Sequence, residues 1–129
     1  MPYYHATRRH RLEAIFREGL HPRAVQNFEC EPGVYLAIDP LIAFGFLLED
    51  FFAKATDETK PSEELKDFVV IVVDDSRVNA ALLKPDPNVE GHWQERLFLH
   101  HGDIDVTGMP VLDADILFPP DERPNYQDS

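Results

Sequence analysis

Apolar and polar positions along this chain fall into short blocks, and the period changes from block to block. Leu12, Ile15, Phe16 and Leu20 recur at i, i+3, i+4 and i+8, one face of a helix. The spacing predicts a helix from about Arg8 to Glu18, with Thr7 as N-cap, Gly19 as the stop and Pro22 beyond it. Pro2 to Ala6 reads as a strand ahead of it, ending at His5-Ala6-Thr7. Arg23 to Pro32 has no clear period and reads as a loop. Val34 to Ile38 reads as a short buried strand between Pro32-Gly33 and Asp39-Pro40. Asp39 then caps a second helix, with Pro40 at the first helical position, where a missing N–H costs nothing. That helix runs to about Ala53 with Phe44, Leu48, Phe51 and Phe52 as its bulky side.

Thr56 to Ser62 is polar and reads as a surface loop. Phe68 to Val73 is an unbroken apolar run rich in β-branched residues, the pattern of a central strand buried on both faces. Asp74-Asp75-Ser76 ends it, with Ser76 capping a short helix through Leu83. Lys84 to Gly91 is strong turn chemistry. Gln94 to His100 alternates as a strand, Gly102 to Pro110 is a turn-rich connection, and Val111 to Phe118 holds one more short strand. The expected fold is therefore α+β: one small domain over residues 1–118 with two or three short helices and about five strands in curved antiparallel or mixed sheets. Residues 119–129 are a polar tail.

A chain of 129 residues can bury a core without staples. Cys30 is the single cysteine, so no internal disulfide forms, which suits a reducing compartment. The first residues lack the regions of a signal peptide, and the apolar run Leu41 to Leu48 is too short to span a membrane. The expectation is a cytoplasmic protein without membrane contact. The formal net charge of −12 argues against wrapping duplex nucleic acid. The positive charges are nevertheless grouped. Arg8, Arg9, His10 and Arg11 form a knot, followed by Arg17 and Arg23, and such a knot can meet a phosphate.

Three stretches carry chemistry. The strand–helix corner brings Tyr35 and Phe46 near each other, although eleven residues separate them, and two aromatic faces can hold a flat ring. Both could equally be ordinary core aromatics. A carboxylate at the start of the 94–100 strand, Glu95, could stabilise positive charge building on a ribose as a glycosidic bond breaks, or could be a solvated surface charge. His5 could hold a sugar hydroxyl with one ring nitrogen while the backbone fixes the other, or be a satisfied strand-end histidine. His100-His101 with Asp103 or Asp105 does not make a metal site, because strand alternation separates the two histidines.

In order and spacing these stretches resemble the ADP-ribosyltransferase fold, in the branch shared by diphtheria toxin and the poly(ADP-ribose) polymerases. Tyr4-His5-Ala6-Thr7 is similar to the family's Tyr-His-Gly-Thr start. Gly33-Val34-Tyr35-Leu36-Ala37 is similar to its Gly-x-Tyr-Phe-Ala strand, with a second aromatic at Phe46. Gln94-Glu95-Arg96-Leu97-Phe98 stands where the family has an Asn-Glu-Tyr strand. The resemblance covers Tyr3 to Phe46 and Gln94 to Ile104. It implies an enzyme that uses NAD as co-substrate, releases nicotinamide and transfers ADP-ribose to an acceptor: a protein, a nucleic acid or a small molecule.

The resemblance also implies roles. His5 would contact the adenosine-side ribose. Ala6, where the family usually has Gly, would grip the nicotinamide amide through its main chain, its methyl narrowing the approach. Thr7 matches the family's Ser or Thr. Tyr35 and Phe46 would flank the nicotinamide ring, Phe46 without the family's hydroxyl. Glu95 would be the catalytic carboxylate, with Arg8, Arg9 and Arg23 near the pyrophosphate. His92 and Trp93, just before Glu95, would face the acceptor, though Trp93 could equally be a partly buried core aromatic. Two other readings stand beside this one: an RNA 2′-phosphotransferase-like enzyme that also uses NAD, and a non-catalytic module that binds ADP-ribose or a partner protein.

Overall fold

The computed structural model describes residues 1–22, 33–53, 65–87, 89–113 and 116, excepting the side chains of Phe46, Leu65 and residues 49–53. The expected loops at 23–32 and 56–62 and the tail at 119–129 lie outside these residues. The described residues form six strands: β1 (Tyr3–Arg8), β2 (Val34–Ala37), β3 (Phe68–Val73), β4 (Leu83–Pro85), β5 (Leu97–His100) and β6 (Val111–Asp113). Two α-helices join them, α1 (Leu12–Glu18) after β1 and α2 (Pro40–Ala53) after β2. The strands form one sheet in the order β4-β5-β2-β1-β3-β6, and every pairing is antiparallel, so the sheet is not mixed.

The sheet buries both faces, and the period-2 alternation of its strands supplies two cores. On one face α1 contributes Ile15 to a cluster with Val34, Leu36, Ile71, Val73, Ile104 and Val106. On the other, α2 contributes Ala43 and Phe44 to a cluster with Ala37, Phe68, Val70 and Leu97. Phe68 to Ile71 are fully buried, as a continuous apolar run requires. That strand is flanked on both sides, by β1 and β6, but the middle of the sheet is the β2–β1 junction.

Local signals decide most element ends. The Asp39 carboxylate accepts from Leu41 N–H at 2.7 Å and its carbonyl from Ala43 N–H at 3.1 Å, so α2 begins at Pro40 as its cap requires. Gly19 stops α1 with φ of 88°, and its N–H returns to the Ile15 carbonyl at 2.7 Å. A Cβ there would also sit 2.9 Å from the Ile104 carbonyl oxygen. That close approach lets Leu20 and Ile104 pair through two main-chain bonds of 2.8 and 2.9 Å.

Four expectations are corrected. β1 continues through Thr7 to Arg8, so Thr7 is a buried strand residue and not a helix cap. Six-fold pairing with β3 outweighs its capping propensity. The helix then opens with a 3-10 turn, Arg9–Arg11, before α1. After β3 the cap is Asp74, not Ser76, and it starts a single 3-10 turn, Asp75–Arg77; a second turn, Ala80–Leu82, is capped by Asn79. Leu83 to Pro85, at the head of the expected turn, is an edge strand, with proline at its end. The 94–100 strand begins only at Leu97, because Gly91–Glu95 coils into a 3-10 helix. Among the described residues no helix is long and apolar enough to cross a membrane.

Candidate functional site: the parting of β1 and β2

The phase of the hydrogen-bond ladders shows where main-chain groups point. Ile38 N–H donates to the Arg96 carbonyl at 3.0 Å, one step beyond the Ala37–Leu97 pair. Even-numbered residues of β2 therefore turn their main-chain groups to β5, and Tyr35 and Ala37 turn theirs to β1. On the other side Val72 N–H donates to the Pro110 carbonyl at 2.9 Å, one step beyond the Ile71–Val111 pair. Even-numbered residues of β3 thus face β6, and the odd ones face β1. It follows from the register that His5 and Thr7 bond to β3, while Tyr4, Ala6 and Arg8 face β2.

Yet β1 and β2 pair at a single register position, Tyr4 with Ala37. The next pair in phase, Ala6 with Tyr35, is not formed. The imidazole of His5 donates its Nδ1–H to the Tyr35 carbonyl at 2.9 Å instead. A carbonyl can only accept, which assigns the proton to Nδ1 and makes Nε2 the acceptor of the neutral ring. The sheet therefore parts at its middle, and the Ala6 amide and carbonyl point into the parting.

Alternation decides which side chains meet there. His5 stands opposite Ile71, on the α1 face, and its ring turns into the strand plane to reach β2. Ala6 belongs to the α2-side core, and Tyr35 shares the parity of Ala37 on that same face. The structure thus brings His5, Ala6 and Tyr35 together. Tyr35 is half-buried. Phe46 lies on α2, and its side chain is outside the described residues, as is Arg23 altogether.

Glu95 is not beside this group. It is exposed at the end of the 3-10 helix, and the β2–β5 register carries it to the level of Asp39. Leu99, the partner of Tyr35, is four residues further on, at most about 13 Å along the strand. His92 and Trp93 are on the same 3-10 helix. Their rings lie 5.1 Å apart at 33°, and the Arg96 guanidinium is 5.9 Å from the indole centre. Trp93 is 39% exposed, so it is a surface aromatic and not a core one.

The basic knot is largely occupied. Arg8 Nε donates to the Asp67 carboxylate at 3.0 Å, and its guanidinium lies 4.7 Å over the Phe68 ring. His10 Nδ1 is 3.3 Å from the same carboxylate. Burial pushes the Asp67 carboxyl up, but hydrogen bonds from Arg8 and His10, with their charges, outweigh it and hold the carboxyl below its ordinary value. Arg9 is exposed.

Sequence reasoning passed over two features. His100 is 1% exposed and acts as a staple: Nδ1–H donates to the Gly102 carbonyl at 2.7 Å, and Nε2 accepts from Asn79 N–H at 3.1 Å. The Asn79 half of the staple, 21 residues away, has no signal in the sequence. The second is a depression of about 240 Å³ lined by Arg17, Glu18, Gly19, Asp103, Ile104, Asp105 and Thr107, with neither His5 nor Tyr35 in its wall. Comparison with protein-family models, with curated proteins and with solved structures gives no match to this chain.

Proposed function

We propose that this chain is an NAD-dependent mono-ADP-ribosyltransferase that uses the parting between β1 and β2 to hold the nicotinamide end of NAD. The observation that carries the reading is the interrupted Ala6–Tyr35 pair. Nicotinamide presents a carboxamide, one acceptor and two donors on a flat ring. A strand amide and carbonyl that face β2 where no ladder pair is formed offer the complementary pair, here at Ala6. Tyr35, on the same face, offers a ring against the pyridine. His5, held by its bond to the Tyr35 carbonyl, stands next to Ala6 on β1, where the resemblance puts the contact to a ribose.

In this reading the glycosidic bond lengthens, positive charge grows on the ribose, and nicotinamide leaves. Glu95 stabilises that charge from the 3-10 helix that leads into β5, four residues before Leu99, the β5 partner of Tyr35. His92, Trp93 and Arg96 form an exposed stacked edge on the acceptor side of Glu95. Arg8 serves the site through the Asp67 pair that ends β1, and Arg9, exposed just after β1, is offered to the pyrophosphate.

One observation favours a second reading, a non-catalytic module for ADP-ribose. Glu95 is exposed, on a coil that no strand holds. Incubation of the purified protein with NAD, and chromatography of released nicotinamide, separates the two. Release supports the enzyme. NAD binding without release, with or without cell extract, supports the module.

A further inference from the structure

We infer that His100 is a proton-operated latch: its neutral ring fastens the Asn79 turn and the edge strand β4 to the end of β5, and uptake of a proton releases them. The inference is independent of NAD and of the junction between β1 and β2. Three facts carry it. Among the described residues His100 is the one histidine that is buried. Its two ring nitrogens are committed to main-chain groups of two different segments, the Gly102 carbonyl at 2.7 Å and the Asn79 N–H at 3.1 Å. An N–H can only donate, so Nε2 is bare and the single ring proton is on Nδ1. The carboxylates that pair with histidines here go to His10 and His21, and none goes to His100.

A second proton has to enter at Nε2. It sets N–H against N–H at Asn79, so that bond breaks, and it leaves a buried charge without a counter-charge. The groups around the ring do not relieve this. Val34 of β2 and Leu83 of β4 are its strand partners, and both are apolar. Further along β4, Lys84 is a cation, and the buried Asp86 bonds through its N–H to the Leu97 carbonyl, three residues down the ladder. Arg77, ahead of the Asn79 turn, is engaged by Asp105 and by the Thr107 carbonyl. His101 is exposed, and Asp103 pairs with His21. What the latch holds is lightly built. β4 has three residues and ends in proline, and its neighbour Leu82 is tied to β5 through the His101 N–H at 2.9 Å. A short edge strand opens locally before the core does.

The test is NMR on the full chain between pH 7.5 and pH 5.5, the range in which histidine takes up a proton. Long-range proton–nitrogen spectra read the His100 ring, and amide exchange, expressed as protection, reads the latch. At pH 7.5 the ring should show the Nδ1–H form, with the Asn79 and His101 amides protected. As the ring takes up its proton, protection at both should fall together by about ten- to 100-fold, the range for a buried polar group that loses its partner. Val72, bonded to the Pro110 carbonyl on the far side of the sheet, should keep its protection. His100→Gln offers Asn79 an acceptor that does not titrate, and its Asn79 amide should be equally protected at both pH values. The same acid response in His100→Gln would assign the release to another group and overturn the latch. If that variant folds poorly, the parent decides alone. A ring that takes up a proton with Asn79 protection unchanged, or a ring still neutral at pH 5.5, overturns the latch as well.

Discussion

The Arg8 guanidinium bonds to the Asp67 carboxylate at 3.0 Å while its flat face covers the Phe68 ring at 4.7 Å, so one side chain ties the end of β1 to the start of β3. The pair is what an arginine in the basic knot does here, and it makes acid stability a test. Asp67 is held below its ordinary value in the folded chain. The stabilisation is therefore complete above the unfolded carboxyl's range and is lost as pH falls through the folded one. Asp67→Asn should flatten the stability curve between roughly pH 5 and pH 2, and the effect should stay below about 1 kcal/mol because the pair is partly solvated. Urea unfolding across that range checks it. Superimposable curves for parent and variant would remove the pair from the account.

Tyr35 separates ring from main chain. Both Tyr35→Phe and Tyr35→Ala keep the carbonyl that His5 holds, so the parting survives in each. Calorimetric NAD binding should be close to parental for Phe and weaker by about two- to tenfold for Ala, the range of one aromatic contact. Equal binding by all three would make Tyr35 a packing residue only.

The proposed function rests its chemistry on the Glu95 carboxylate. Glu95→Gln should leave folding stability within about 0.5 kcal/mol, since the residue is exposed, and should lower nicotinamide release roughly 100- to 1,000-fold with NAD binding nearly intact. Glu90, exposed at the start of the same 3-10 helix, is the control and should tolerate the same change. Equal release by parent and Glu95→Gln would end the catalytic role.

Two glycines should respond in opposite directions. A Cβ at Gly33 would run into the Leu99 side chain and stand 3.2 Å from the His100 carbonyl oxygen. Leu99 is fully buried and cannot retreat, so Gly33→Ala should cost about 1–3 kcal/mol by overpacking beside Tyr35. Gly45 lies in α2 with open space around the position. Gly45→Ala should gain up to about 1 kcal/mol of helix stability. Thermal denaturation of the two variants reads both signs, and a stabilised Gly33→Ala would show that β2 and β5 are not packed as described.

Local chemistry determined much of this protein from sequence alone. The β-branched run of β3 could only be a doubly covered strand. Asp39-Pro40 set the start of α2, and Gly19 the end of α1, because capping and positive φ act within a few residues. His5, Ala6 and Tyr35 were grouped by the resemblance of their two strands to a known fold, and the structure sets those strands side by side. Tertiary structure decided the rest, because long-range pairing overrides local preference. Thr7 became a strand residue when β3 offered partners along all of β1. Arg8 is half of an ion pair because Asp67, 59 residues away, arrives beside it. Glu95 left its expected strand because Gly91 to Glu95 coil before the β2 register begins at Ala37–Leu97. The feature that gives the candidate site its chemistry, an unmade pair between Ala6 and Tyr35, has no local signature. It exists only as the phase of one strand against another, with the His5 imidazole bonded to the Tyr35 carbonyl.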